Sequence, residues 1–306
     1  MKPSVSIILP TLNHSNLLSD CLQSIKNQTF QDFEVIIVDD GSTDDTKGVI
    51  NKFVEENNLA GKTRYFCQKH SGVSQARNFG ILNSKSELIA FIDDDDTWDN
   101  RKLELQVKAM ALHGGIAMSF TNLFLIYLNS KKKFLLSQKE SITEGRIFKE
   151  LLYKCFIFTS SVMARKDVLS SVGLFDKEMI VGEDWDLWLR IAYGHNIKYI
   201  KEPLVYYSMH NNNAHKNIDE MLRGHRRIIN KVFYSNEFLE YQQYKTPAKL
   251  NFYLTAAEVY VRRRKFAPAL KSLIFAIFFF RPKFFWGWRR ICGVCWRFIF
   301  AEEFNS

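Results

Sequence analysis

The stretch Phe91-Ile92-Asp93-Asp94-Asp95-Asp96-Thr97-Trp98 constrains the chain most. A five-residue apolar run, Leu88–Ile92, ends abruptly in four carboxylates. A short apolar run closed by turn formers reads as a strand buried on both faces, as in a parallel sheet. The carboxylates then stand at the carboxyl end of a central strand, the edge where open α/β sheets bind ligands. Two unit charges about 6 Å apart repel by roughly 3 kcal/mol at an effective dielectric near 20, but by only about 0.7 kcal/mol in water. The cluster is therefore harmless on a solvated loop. At the mouth of a buried strand it drives protonation or recruits a cation. Magnesium or manganese takes carboxylate oxygens and keeps positions open for phosphate. In isolation, a solvated acidic turn capping a helix at Arg101–Leu112 would account for the run as well, so the rest of the chain has to decide.

Val5–Leu9 reads as a first strand and Pro10–Ser15 as the loop after it. Leu18, Cys21, Leu22 and Ile25 recur at helical spacing, with Ser15 or Asn16 available as the cap. Phe33–Val38 is a second buried strand and runs into Asp39-Asp40-Gly41-Ser42-Thr43-Asp44. A β-α-β unit of this kind implies a parallel sheet. Gly41 permits a turn there, and Ser42 or Thr43 can cap the next helix. Equally, Asp39 or Asp40 can hydrogen-bond a base or ribose. Thr63–Cys67 is a third strand. Ser71 or Ser74 then caps a helix that carries Arg77 one turn in, where a guanidinium can meet a diphosphate or form an ordinary ion pair.

Beyond the acidic run, Ile116–Tyr127 reads as two short strands and 129–138 as a hairpin turn or exposed loop. Ile147–Tyr153 reads as helix and Phe158–Met163 as strand. In Val181–Arg190, Trp185, Trp188, Leu189 and Ala192 share one helical face. Glu183 and Asp184 fall at that helix's start, where negative charge is favoured. They either cap the helix, or one points into a cleft as a general base with the tryptophans packed behind it. Leu204–Ser208 is a last strand. His210 follows it, as a loop histidine or as a metal or phosphate ligand.

The succession of a Pro-Thr loop, VDDGSTD, SGVSQARNFG, FIDDDDTW and GEDWDLWLR resembles the family-2 glycosyltransferases. The resemblance covers residues 3–213 and implies the GT-A fold, a Rossmann-like mixed α/β sheet; residues 214–306 leave that pattern, and their spacing predicts a helical region. It also implies inverting transfer from a nucleotide sugar, usually a UDP-sugar, to a glycan or lipid-linked acceptor, with manganese or magnesium. Carried over by position, Pro10, Thr11, Asn13, Asp39 and Asp40 would face the uracil and ribose. Arg77 would lie near the base or diphosphate, and Asp93 and Asp94 would lie against the donor. Asp93 and Asp95 would be the family's D-x-D pair, with Asp95 in direct metal contact and His210 a looser metal match. Asp184 would be the base, supported by Glu183 and Trp185. The middle residue of D-x-D is normally small or polar, and here it is Asp94, so the run offers overlapping pairs. The Gln-x-x-Arg-Trp motif and membrane spans of the processive synthases are missing, which implies transfer of single sugars. A nucleotidyltransferase would show a Gly-rich basic loop after the first strand, and Pro10–Ser15 holds neither glycine nor lysine. A non-catalytic nucleotide-sugar-binding protein would have no need of both Asp95 and Asp184.

Charge separates the tail from the body. The net charge is +9, from 42 basic and 33 acidic residues. Residues 262–297 hold ten arginines and lysines and no acid, so the remaining 32 basic residues nearly balance the 33 acidic ones. Within this tail, Leu250, Leu254, Ala257 and Val261, then Phe266, Leu270, Leu273 and Ile277, predict two helices joined near Lys265. Beyond them, Phe278–Arg290 interleaves aromatics with cations. That mixture suits the headgroup region of an anionic bilayer, and its apolar bulk argues against nucleic acid. The expectation is attachment through 262–300 to the inner face of the plasma membrane. A packed helical lid is the alternative. No apolar run reaches the roughly 20 residues of a membrane span. The amino terminus enters a strand without a secretory pattern, and five scattered cysteines form no disulfide framework. Both point to the cytosol.

Overall fold

The computed structural model describes residues 2–112, 115–128, 130, 132–209, 218–234, 238–279, 290–291 and 294. The chain divides into two compact units, residues 1–151 with 155–213, and residues 152–154 with 214–306.

The first unit opens with β1 (Val5–Thr11), α1 (Leu18–Lys26), β2 (Phe33–Asp39), α2 (Thr46–Glu56), β3 (Thr63–Cys67), α3 (Val73–Asn83) and β4 (Leu88–Phe91). All four of these strands run parallel, in the order β3-β2-β1-β4. β1 and β2 are buried along their whole length, including the polar Ser6 and Glu34, which hydrogen-bond each other at 2.6 Å. Next come β5 (Thr97–Trp98), α4 (Lys102–Leu112), β6 (Ile116–Tyr127), β7 (Lys132–Leu135), α5 (Leu136–Lys139) and α6 (Phe148–Leu151). β8 (Val162–Arg165), α7 (Lys166–Ser171), α8 (Glu183–Gly194) and β9 (Asn196–Met209) complete the unit. The sheet continues from β4 through β8, β6 and β9 to β5, with β7 paired to β6. Its second half mixes directions, since β8 is antiparallel to β4 and β6, whereas β9 is parallel to β6. Helix α3 lies so close to β1 that a Cβ on Gly80 would meet Ile8 Cγ2 at 2.6 Å.

Several local expectations are corrected. Pro10 and Thr11 belong to β1, because they continue its register opposite Val38 and Asp39. Neither Ser15 nor Asn16 caps α1, since Leu17 occupies that position and the Ser15 N–H donates to Asp44 instead. Helix α2 starts after Ser42 and Thr43, where Asp44 accepts the Thr46 N–H and hydroxyl. Gly72, at φ 93°, occupies the cap position of α3 in place of Ser71 or Ser74. Ile116–Tyr127 is one strand, with register shifts against β9 at Met118 and Asn122 instead of a break. Thr159–Ser161 form a 3-10 turn, so the strand there starts only at Val162. The last strand begins at Asn196, eight residues before Leu204.

The second unit contains α9 (Ile218–Tyr234), a 3-10 turn at Leu239–Tyr244, α10 (Lys245–Arg262) and α11 (Phe266–Phe279). Leu250, Leu254, Ala257 and Val261 pack with Ala269, Leu273, Ala276, Ile291 and Val294. Of the face expected on α11, only Leu273 is buried, whereas Leu270 and Ile277 are 50% and 56% exposed. No helix among the described residues is long and apolar enough to cross a membrane. Most of the cation-and-aromatic stretch, residues 280–289, lies outside the described residues.

Candidate functional site

Parallel pairing brings the carboxyl ends of β1, β2 and β4 to one edge. Thr11 stands opposite Asp39, and Ile8 opposite Phe91, so the acidic run leaves β4 level with the end of β1. The loops there are built by polar side chains at that edge. Asp39 Oδ1 accepts the Gly41 and Ser42 N–H groups at 3.1 and 2.7 Å, and Oδ2 accepts the Tyr65 hydroxyl at 2.7 Å. Asp40 is bonded by Gln68, Ser71 N–H, Gly72 N–H and His70, each at 2.7–2.8 Å. Burial pushes its carboxyl up, but these donors outweigh burial and hold it below the usual carboxylate range. Asp40 thereby satisfies N–H groups at the start of α3 that have no partner within the helix. Asn13, at φ 55°, accepts the Thr43 N–H at 2.7 Å through Oδ1. Asn13, Asp39 and Asp40 thus tie the β1, β2 and β3 loops together. Pro10 lies buried in β1 opposite Val38. Thr11 Oγ1 and Ser74 Oγ, both buried, have no partner among the described residues.

The acidic run closes into a turn, with the Asp96 N–H on the Asp93 carbonyl at 3.1 Å. Burial alternates along it. Asp94 and Asp96 face inward, and Asp93 and Asp95 are partly exposed. Asp96 accepts the Ser208 N–H at 2.9 Å and the Ser160 hydroxyl. Burial first, then the charges of Asp95 and Asp93, push its carboxyl well above the ordinary value. Ser160 also accepts the Asp93 N–H at 3.0 Å through Oγ and the Trp98 indole N–H at 2.9 Å through its carbonyl. It therefore clamps both ends of the turn. Asp94 Oδ1 lies 2.8 Å from His14 Nδ1, a bond that raises the His14 pKa, while Asp94 Oδ2 is buried without a partner among the described residues.

Gly182, at φ 82°, introduces α8 and sets Glu183 and Asp184 in its first turn. Arg77, 4% exposed on α3, joins them to the acidic run. One guanidinium nitrogen lies 2.7 Å from Asp93 Oδ1 and another 2.8 Å from Glu183 Oε1. The sequence predicted Arg77 near the donor base or diphosphate, and in the structure both of these contacts are to carboxylates. Asp184 Oδ2 accepts the Thr159 hydroxyl at 3.2 Å, and Oδ1 accepts the Trp185 N–H at 2.7 Å. Burial, then the Glu183 charge, pushes the Asp184 pKa up to about 7, with Arg77 opposing them. A carboxyl poised there suits a general base at neutral pH. Trp185 and Trp188 are buried on α8; the Trp185 indole N–H donates to the Leu151 carbonyl at 2.7 Å, and Trp188 packs against Phe91 and Phe175.

The donor chemistry fits a divalent ion. Asp93 and Asp95 present partly exposed carboxylates, and Asp94 Oδ2 is an orphaned buried acceptor. No group of three or more potential ligands is preassembled among the described residues. Such a site suits magnesium or manganese, which bind through one or two carboxylates with the substrate phosphates completing the shell. His210 lies outside the described residues. Thr159, Ser160 and His14 carry no motif in the sequence, and Asp96 is marked there only as part of the acidic run. Thr159 and Ser160 sit in a stretch that reads as strand, and nothing in its pattern marks a hydroxyl turn.

The profile of glycosyl transferase family 2 matches residues 6–173. This chain belongs to that family. A Rickettsia felis protein described as an uncharacterized glycosyltransferase is 32% identical over 200 residues, covering 65% of this chain but 32% of the relative's own length. An Escherichia coli protein, UDP-Glc:alpha-D-GlcNAc-diphosphoundecaprenol beta-1,3-glucosyltransferase WfgD, is 32% identical over 197 residues, 64% of this chain and 72% of that one. Among solved structures, the mannosyltransferase PcManGT from Pyrobaculum calidifontis in complex with GDP-Man and Mn2+ superposes with a TM-score of 0.63. It is 14% identical and the match covers 99% of this chain and 88% of that one, a likeness of fold. The fold is thus the GT-A arrangement that the sequence motifs resemble.

Proposed function

We propose that this chain transfers a single sugar, with inversion, from a UDP-sugar to a hydroxyl of a lipid-linked glycan. The observation that carries the reading is the Arg77 bridge. It ties Asp93 on the acidic turn to Glu183, the neighbour of Asp184, through an Arg77–Glu183 contact that spans 106 residues of sequence. Both acidic motifs therefore border one site. The donor class and the lipid-linked acceptor follow the name of the Escherichia coli relative.

In this reading Thr11 and Ser74, whose hydroxyls have no partner among the described residues, contact the donor at the edge that Asp39 and Asp40 shape. Asp95 and Asp93 would hold manganese or magnesium, which would neutralise charge gathering on the UDP diphosphate. Asp184 takes the proton from the acceptor hydroxyl. The freed oxygen attacks the anomeric carbon from the face opposite UDP, so the new C–O bond forms as the C–O bond to UDP breaks. The Thr159 hydroxyl and the α8 backbone fix the direction in which Asp184 points. The acceptor's lipid places the protein peripherally on the cytoplasmic face of the membrane. A hydrolysis screen over nucleotide sugars with manganese present, reading free UDP, GDP and dTDP, tests the donor class. Release of UDP is expected, and release of nothing from any donor would overturn the reading.

A further inference from the structure

We propose that the second unit docks on an anionic phospholipid bilayer, seating a lipid phosphate headgroup in a basic aromatic cavity between α9 and α10 while the outer face of α11 enters the interface. The cavity has a volume of about 190 Å3 and is lined by Arg226, Asn230 and Tyr234 from α9 and by Lys249, Phe252 and Tyr253 from α10. It has room for several waters, each of which takes about 30 Å3 in the liquid, and so for a phosphate group. Among the described residues that line it, none is acidic. Lys249 Nζ lies 3.0 Å from the Tyr234 hydroxyl, and Lys245 Nζ lies 3.9 Å from the centre of the same ring. Cations and an aromatic hydroxyl thus converge on one side of the cavity, a donor set for an anion.

The wall of the cavity continues into α11, because Tyr253 stacks on Phe275 and Phe279 at 5.2 and 5.6 Å. Ala269, Leu273 and Ala276 form the buried side of that helix. On the other side, Leu270, Ile274, Ile277 and Phe278 are 50%, 52%, 56% and 77% exposed. Their spacing of three and four residues puts them in one stripe. A contiguous apolar stripe of this kind marks an interaction surface.

Charge selects the occupant. Arg262, Arg263, Arg264 and Lys271 are exposed beside the stripe, and the sequence holds no acid from 262 to 297. A second copy of the chain would set these cations against their own kind, whereas anionic headgroups neutralise them. The 14 described residues of α11 are too few to span a bilayer. An amphipathic helix flanked by arginine and lysine lies in the interface plane instead. The proposal takes from the transfer reading only a purpose, that of bringing the enzyme to a lipid-borne acceptor. It is tested without donor or acceptor, so either can fail alone.

The test is sedimentation of the full chain with vesicles at low salt. Phosphatidylglycerol mixed into phosphatidylcholine is expected to bring the protein down, and phosphatidylcholine alone is not. Arg226→Gln with Lys249→Gln should weaken binding about 25-fold, at roughly fivefold per surface cation. Ile274→Ser with Phe278→Ser, at exposed positions, should weaken it roughly tenfold or more with the melting temperature unchanged. Excess inorganic phosphate should weaken binding by no more than the Arg226/Lys249 variant does, since one ion can fill the cavity but does not replace a bilayer. Complete displacement by phosphate would reveal a soluble-anion site and overturn the proposal. So would equal binding to both vesicle types, no binding to either, or a dimer in buffer that the Ile274/Phe278 variant abolishes.

Discussion

Replacing Arg77 with methionine removes the charge that holds two motifs together and keeps most of the side-chain volume. Arg77 is buried, and its guanidinium contacts Asp93 at 2.7 Å and Glu183 at 2.8 Å. Its high pKa reflects both of these carboxylates and Asp184, acting against burial. Without it, three carboxylates crowd one another with no cation between them. Removing one partner of a buried pair costs about 3–5 kcal/mol, because the stranded charges stay buried. In a domain of roughly 150–250 residues each kcal/mol lowers the melting temperature by about 2–4 °C, so a drop of about 6–20 °C is expected. Circular dichroism melts at pH 7 read it directly. Adding Glu183→Gln to Arg77→Met should restore part of the loss, since one stranded charge is gone. A single variant melting within about 2 °C of the parent protein would refute the claim that this bridge organises the site.

Four further outcomes follow from the same geometry. The Asp184 pKa near 7 lies above the roughly 3.9 of an unfolded aspartate, so the native state binds the extra proton between these values and loses stability as pH rises through them. Asp184→Asn should therefore melt higher than the parent at pH 8, with the difference fading toward pH 4. Turnover should rise with pH through about 7 as that carboxyl ionises, which an initial-rate profile would check. Lys102 is fully buried, with its ammonium on Gln106, and burial drives its pKa well below the usual lysine value. Its native state binds fewer protons than the unfolded chain, so stability falls as pH drops below the unfolded lysine value. Urea melts of Lys102→Met should show a gain at pH 7 that shrinks above about pH 10. A loss at pH 7 would mean that its contact with the Trp98 ring at 3.9 Å dominates. Gly80→Val should lower stability by about 1–3 kcal/mol, because its Cβ would overlap Ile8.

The fold was legible where side chains repeat. Val5–Leu9, Phe33–Val38 and Leu88–Ile92 are runs apolar but for Ser6 and Glu34 and closed by turn formers, and each forms a parallel strand, although Ile92 falls just past the end of β4. β9 was half missed because Asn196–Pro203 carries Lys198, Lys201, Glu202 and Pro203, which argue against a strand unless one side is open. The buried face of α11 was misread for the opposite reason. Nearly every position there is apolar, so helical spacing cannot say which side packs. Four adjacent aspartates announced a site, but only the fold distinguishes them. Asp96 turns inward to Ser160 and Ser208, Asp94 to His14, and Asp93 to Arg77. The Arg77–Glu183 contact spans 106 residues, beyond the reach of any local pattern.

The most direct measurement pairs transfer with donor binding in Asp184→Asn. Sugar transfer and UDP binding would be measured on the same preparation, with manganese present. Transfer is expected to fall by a factor of about 100–10,000, the range for losing a general base, while UDP binds as in the parent protein. Transfer at the parent rate, or loss of UDP binding together with transfer, would contradict the role of Asp184 as the base.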